Sequence, residues 1–225
     1  MANNVFTNYT FKGEESEVKA LKNLIVKAGK TDYCKSTRTY GKDWLGGILC
    51  EAGMSKEAGK GIPCRGSVAG YSALEYTNDG EVKFDITTMT AWEIMPAMWK
   101  AIIDKLGLKT VKIAYITDGD EGDGACKYDP IGVYSEEYFV DIQVGDDCFI
   151  SCNDQEALDV FEAYFFTEET LRNSIALLFK LSSAEAEACT TESLIQKALE
   201  YEFDDSDTMI KIVKYEILTK EEAFK

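Results

Sequence analysis

At 225 residues, with 45% apolar and 12% aromatic side chains and three prolines, the chain is long enough and apolar enough to bury a sizeable core, which excludes bulk disorder. Its 40 acidic against 24 basic side chains leave a net charge of −16, which disfavours direct binding to a nucleic-acid backbone or an anionic membrane. Histidine is absent, which removes Ser-His-Asp and Cys-His nucleophile pairs and every zinc site that needs an imidazole.

The acidity has two readings: a solvated, soluble surface, or imitation of the charge of a nucleic acid in order to occupy a basic partner. Seven cysteines, at 34, 50, 64, 126, 148, 152 and 189, form an odd set with no CxxC pair, as expected of reduced thiols. The polar start MANNVFTNYTFKG lacks the apolar segment of a signal peptide, and no apolar run reaches the roughly 20 residues of a membrane span. The expected location is the cytoplasm.

Val5 to Lys12 reads as a strand with Val5, Thr7, Tyr9 and Phe11 on one face. A helix follows from Glu14 to about Ala28, its stripe formed by Val18, Leu21, Leu24, Ile25 and Ala28, with Gly29 as its stop. Residues 31 to 70 change character: they hold eight of the 17 glycines and six basic against four acidic side chains, and read as a glycine-rich insertion. Inside it, DWLGGILCEAGM suggests a short helix that Gly46 and Gly47 weaken. GMSKEAGKG superficially resembles a phosphate-binding loop, but its glycine spacing is one residue too long and Gly61 stands where Ser or Thr should hold magnesium.

Asn78-Asp79-Gly80 marks a hairpin between Tyr71 to Thr77 and Val82 to Thr87. Thr90 and Glu93 spell a capping box, but Pro96 argues for a helix starting near Met95 with the proline in its first turn, a stripe of Met98, Trp99, Ile102, Ile103 and Leu106, and Gly107 as its end. Thr110 to Thr117 is a strong strand, leading into TDGDEGDG. Further strands are expected at Cys126 to Tyr134, Tyr138 to Val144 and Cys148 to Cys152, with a turn at Gly145-Asp146-Asp147. Helices then open at Asn153, Thr167 and Thr190 or Thr191, before a last strand at Met209 to Leu218.

TDGDEGDG gathers Asp118, Asp120, Glu121 and Asp123, the oxygen-rich chemistry that calcium or magnesium takes. The EF-hand pattern is not met, because from Asp118 the sixth position is Asp123 where glycine is required and the twelfth is Asp129 rather than glutamate. An irregular metal site and an acidic turn both stand, the turn being favoured. No cofactor is otherwise indicated.

Met1-Ala2-Asn3 leading into a strand, Thr90-Ala91-Trp92 shortly before Pro96 and an amphipathic helix, and Tyr115 followed by Asp120-Glu121-Gly122 together resemble the YubB-like family over residues 1 to 145. That resemblance implies a plasmid- or phage-encoded protein with a ferredoxin-like domain and no established biochemical activity, and points to Trp92 and Tyr115 as binding residues. The chain departs from the family's tryptophan-rich segment before the hairpin, having Val68 to Leu74 there.

The expected architecture is α+β: a ferredoxin-like sandwich over 1–150, with a mostly antiparallel sheet and helices on one face, the insertion at 31–70, and a helical elaboration at 151–225 that shares its core or forms its own. The expected function is a non-enzymatic accessory or protein-interaction protein of a bacterial mobile element. Two alternatives are an acidic decoy for a basic DNA-binding protein and a metal-dependent hydrolase using residues 118 to 123. The partner expected is another protein, with no nucleic acid and no membrane.

Overall fold

In chain order the elements are β1 (Asn4–Gly13), α1 (Glu15–Lys30), α2 (Leu45–Glu51), β2 (Gly66–Tyr71), β3 (Glu75–Tyr76), β4 (Val82–Ala91), α3 (Pro96–Leu106), β5 (Lys112–Thr117), β6 (Cys126–Tyr128), β7 (Tyr138–Val144), α4 (Gln155–Val160), β8 (Phe165–Phe166), α5 (Glu168–Leu178), α6 (Ser183–Ala188), α7 (Thr191–Leu199), β9 (Thr208–Lys214), β10 (Glu216–Ile217) and α8 (Lys220–Ala223). They are seen in a computed structural model that describes residues 4–31, 43–58, 60–118, 124–144, 155–161, 165–203 and 208–224.

The chain divides into two compact units, 1–134 with 216–225, and 135–215, the second inserted into the first. The boundary thus falls at Tyr134 rather than near residue 150, and the last residues return to the first unit. The reason lies in strand pairing: β7 finds its partners in β8 and β9, a three-stranded sheet of its own, and not in the sheet built on β1.

In the first unit β1 is central. It pairs antiparallel with β4 from Asn4↔Ala91 to Gly13↔Val82, and with β5 from Thr7↔Thr117 to Lys12↔Lys112. β2 lies antiparallel along the other side of β4, with a register shift between Val68 and Gly70, and β3 continues that side. β6 adds antiparallel to β5, and β10 adds parallel to β6, so the sheet is mixed. The predicted strand Met209 to Leu218 is therefore two strands: β9 serves the second unit and β10 the first. The predicted hairpin forms at Gly80, whose φ of 82° needs glycine, but its first arm is interrupted between Tyr71 and Glu75.

The period-two pattern of β1 buries Val5, Tyr9 and Phe11 on one face, and Tyr9 and Phe11 pack in one core with the buried side chains of α1 and α3. Trp99 of α3 is fully buried there, its ring 5.2 Å from Phe11 and 5.8 Å from Tyr9. Pro96 occupies the first turn of α3 and Gly107 ends it at a φ of 67°, as its sequence requires. α1 runs past Gly29 to Lys30 and closes when Thr31 donates its N–H to Ala28 O and its hydroxyl to Lys27 O.

α2 forms despite Gly46 and Gly47. A Cβ on Gly46 would stand 2.2 Å from Cζ2 of Trp44, so the glycine that lowers helix propensity is what lets the indole lie against the helix.

The second unit packs α4, α5 and α7 around Tyr138, Val140, Phe166, Leu171, Ile175, Leu194 and Ile210. Thr167 caps α5 by accepting from Thr170 N–H, as predicted, and Thr190, one of the two residues expected there, caps α7 by accepting from Ser193 N–H. The expected strand Cys148 to Cys152, the turn at 145–147 and the Asn153 helix start lie outside the described residues.

Candidate functional site

The residues marked by the sequence part company in the structure. Tyr115 faces the core: it is fully buried, its hydroxyl donates to Ala223 O at 3.0 Å, and its ring packs 5.5 Å from that of Tyr9. Burial pushes its pKa upward, so it stays a neutral phenol. Trp92 instead stands at the end of β4, 51% exposed, at a φ of 68° that bulky side chains rarely adopt. The Arg65 guanidinium sits 4.3 Å from its ring centroid, held near it because Ala91 N–H donates to Arg65 O and extends the β2–β4 ladder by one rung. With β1 between β4 and β5, Trp92 and Tyr115 do not form one surface.

Asp118 works as a backbone partner. Its Oδ1 accepts from Phe6 N–H at 3.0 Å, while its own N–H reaches Phe6 O at 3.4 Å, continuing the β1–β5 pairing past Thr117. Asp120, Glu121 and Asp123 lie outside the described residues. Among the described residues no group of three or more Asp, Glu or Cys side chains is arranged to hold a metal ion.

Two other chemistries can be weighed in the first unit. Burial pushes the Cys126 thiol up to about 11, with the Glu216 carboxylate adding to the shift, so this sulfur is an inert core thiol at neutral pH. A cavity of about 130 Å³ opens between α1, α2 and β2, lined by Ile25, Ile48, Val68, Trp44 and Tyr71 with Lys30 and Asp43. It is smaller than the roughly 300–1,000 Å³ of small-molecule sites.

The second unit differs in charge. Residues 135–215 hold 19 acidic and five basic side chains, a net of −14, which leaves the first unit at 21 against 19, or −2. Compared with protein-family models, with curated proteins and with solved structures, the chain matches none. No described helix is long and apolar enough to cross a membrane.

Within this acidic unit one basic side chain is committed to structure. Arg172 on α5 donates from Nη1 to Thr191 Oγ1 at 3.0 Å, and from Nη2 to Ala186 O at 2.9 Å and Cys189 O at 3.0 Å. It thereby ties the ends of α6 and α7 to α5, and Thr191 in turn donates to Glu168. α6 buries none of its residues and is held by this arginine and by a capping box, Ser182 accepting from Glu185 N–H while Glu185 accepts from Ser182 N–H. α6 is not among the helices expected from the sequence, although Ser182-Ser183-Ala184-Glu185 carries the box; with no apolar stripe to follow it, the periodicity gives no second signal.

Proposed function

We propose that the chain is a non-enzymatic interaction protein of a bacterial mobile element that captures a basic protein partner on its inserted second unit. The observation that carries this reading is the segregation of charge, a net of −14 on residues 135–215 beside −2 on the rest. A compact unit with that charge steers basic partners and speeds encounter, whereas an even distribution over the chain would act more weakly at any one surface.

The first unit is then the carrier. Its strand order β5-β1-β4-β2, antiparallel throughout, with α1 and α3 as the two crossovers, supports the finer reading of a ferredoxin-like sandwich. The mobile-element setting is supported by the YubB-like resemblance over residues 1 to 145. Exposed Trp92 with its Arg65 partner is a second contact point of the composition that dominates protein interfaces.

The same charge also favours the second reading, in which the partner is a DNA-binding protein and the carboxylates stand in for phosphates. Affinity capture on wild type, and on a variant with Glu169, Glu187, Glu192 and Glu202 changed to Gln, tests both. The expected result is a basic protein retained by wild type, released by 0.3 M salt and lost from the variant. Competition by duplex DNA singles out the decoy reading. Partners that are neutral or acidic, and held equally by both forms at high salt, overturn the proposal.

A further inference from the structure

α5 turns Leu171, Ile175 and Leu178 into the core, and its opposite face carries Leu177, 65% exposed. Arg172 reaches across to the backbone of α6, and a hollow of about 390 Å³ is lined by residues of the two helices. Its apolar lining is Ala176, Leu177, Leu181 and Ala186, with Asn173 and Glu187 at its edges. A second hollow, of about 580 Å³, shares Arg172 and Asn173 with the first and is acidic, with Glu137, Glu168 and Glu169 on its walls. The two hollows adjoin at Arg172 and Asn173 along α5, a helix of 11 residues or about 16 Å at 1.5 Å per residue, with the carboxylates towards its N-terminal end and the apolar residues towards its C-terminal end.

An anion does not suit this groove. The guanidinium that lines it already donates to Thr191, Ala186 and Cys189, and the charges left at its edges are carboxylates. An apolar strip continuous with a carboxylate-lined strip, on a unit of net charge −14, calls for a ligand that offers aliphatic side chains and cations together, spaced along a rod.

The geometry points to the α5–α6 groove as the docking site for one amphipathic helix of the basic partner, with its aliphatic side chains over Leu177 and its Lys or Arg side chains beside Glu169 and Glu137. This rests on the charge-capture reading above and adds the place and the form of the ligand. The occupant is a protein helix: a flexible polycation would be drawn by the carboxylates alone, and would gain nothing from Leu177.

The test uses the full chain and two synthetic helical peptides of equal positive charge, one with Leu at i, i+3, i+4 and i+7 on its apolar face, the other with Ala at those positions. Binding is measured by fluorescence anisotropy at low and moderate salt. The Leu peptide is expected to bind about ten-fold or more tightly than the Ala peptide. Leu177→Ser removes most of that preference, and Ala186→Phe, which fills the hollow rather than stripping it, does the same. Glu169→Gln weakens both peptides alike. Leu177 is exposed and outside the buried stripe, so circular dichroism should report an unchanged fold for its variant. If both peptides bind equally, with salt sensitivity and no response to Leu177→Ser or Ala186→Phe, the groove is refuted while charge capture stands. If neither peptide binds at low salt, both readings fall.

Discussion

Replacing glycine by alanine in a helix ordinarily stabilises it by up to about 1 kcal/mol, because the unfolded chain loses freedom and the helix loses none. Gly29 and Gly46 should respond with opposite signs. At Gly29, in the last turn of α1, the nearest atom to an added Cβ is Asp43 Oδ1 at 3.6 Å, an ordinary contact. At Gly46 the new atom would meet three atoms of the Trp44 indole at 2.2, 2.4 and 2.5 Å. The indole must move, although it packs partly buried against the first unit's core and the backbone of Trp44 is held by a β-bridge to Ser67.

Overpacking of this kind costs about 1–3 kcal/mol, which set against a propensity gain of about 1 kcal/mol leaves Gly46→Ala destabilised by up to about 2 kcal/mol. In a chain of this size 1 kcal/mol moves the thermal midpoint by about 2–4 °C. Gly29→Ala should therefore raise the midpoint by up to about 4 °C and Gly46→Ala lower it by up to about 8 °C. The assay is tryptophan fluorescence during thermal unfolding: Trp44, Trp92 and Trp99 all belong to the first unit, so the signal is free of the second. Trp44→Leu should relieve the clash, so that the Gly46→Ala change costs little in that background. If Gly46→Ala raises the midpoint as Gly29→Ala does, the close approach of indole and helix is wrong, and with it the account of why α2 carries a glycine at position 46.

Tyr9→Phe removes the hydroxyl that accepts from Met95 N–H at 3.2 Å at the start of α3; leaving that buried donor unmet should cost about 1–3 kcal/mol, measurable by urea titration. Cys126, buried and with its thiol raised to about 11, should label with iodoacetamide at pH 7.5 far more slowly than partly exposed Cys50 and Cys189, and equal rates on peptide mass mapping would contradict the burial. Glu17 accepts from Thr110 N–H and Thr110 Oγ1, both at 2.8 Å, which lowers its carboxyl below the usual range. Its contribution is thus complete above the ordinary carboxylate pKa and lost as pH falls through the lowered folded value, so wild type should lose more stability than Glu17→Gln between pH 6 and pH 3. Parallel stability curves for the two would argue that this bond does not form.

Local signals were legible where one stretch of chain holds the whole answer. The alternation of β1 names its core face, the stripe Met98-Trp99-Ile102 with Pro96 and Gly107 bounds α3, and Thr167 announces α5 by its own hydroxyl. Residues that act through distant partners were not legible. Nothing local separates exposed Trp92 from buried Tyr115; their fates follow from the strands that flank them. Gly46 reads as a helix breaker because the indole it accommodates is a packing fact, not a propensity.

The sequence by itself determined the composition, the net charge of −16, the absence of imidazole chemistry and most of the helix and strand starts, since each of these is a property of residues or of their neighbours along the chain. Tertiary structure alone decided how the charge is divided. Met209 to Leu218 reads as one strand, yet Tyr215 N–H donates to Glu137 O in the second unit and Glu216 N–H to Ala125 O in the first. The backbone changes sheets between adjacent residues because each hydrogen-bonding edge it meets is supplied from about 80 residues or more away, and that exchange draws the boundary that confines the acidic excess to 135–215.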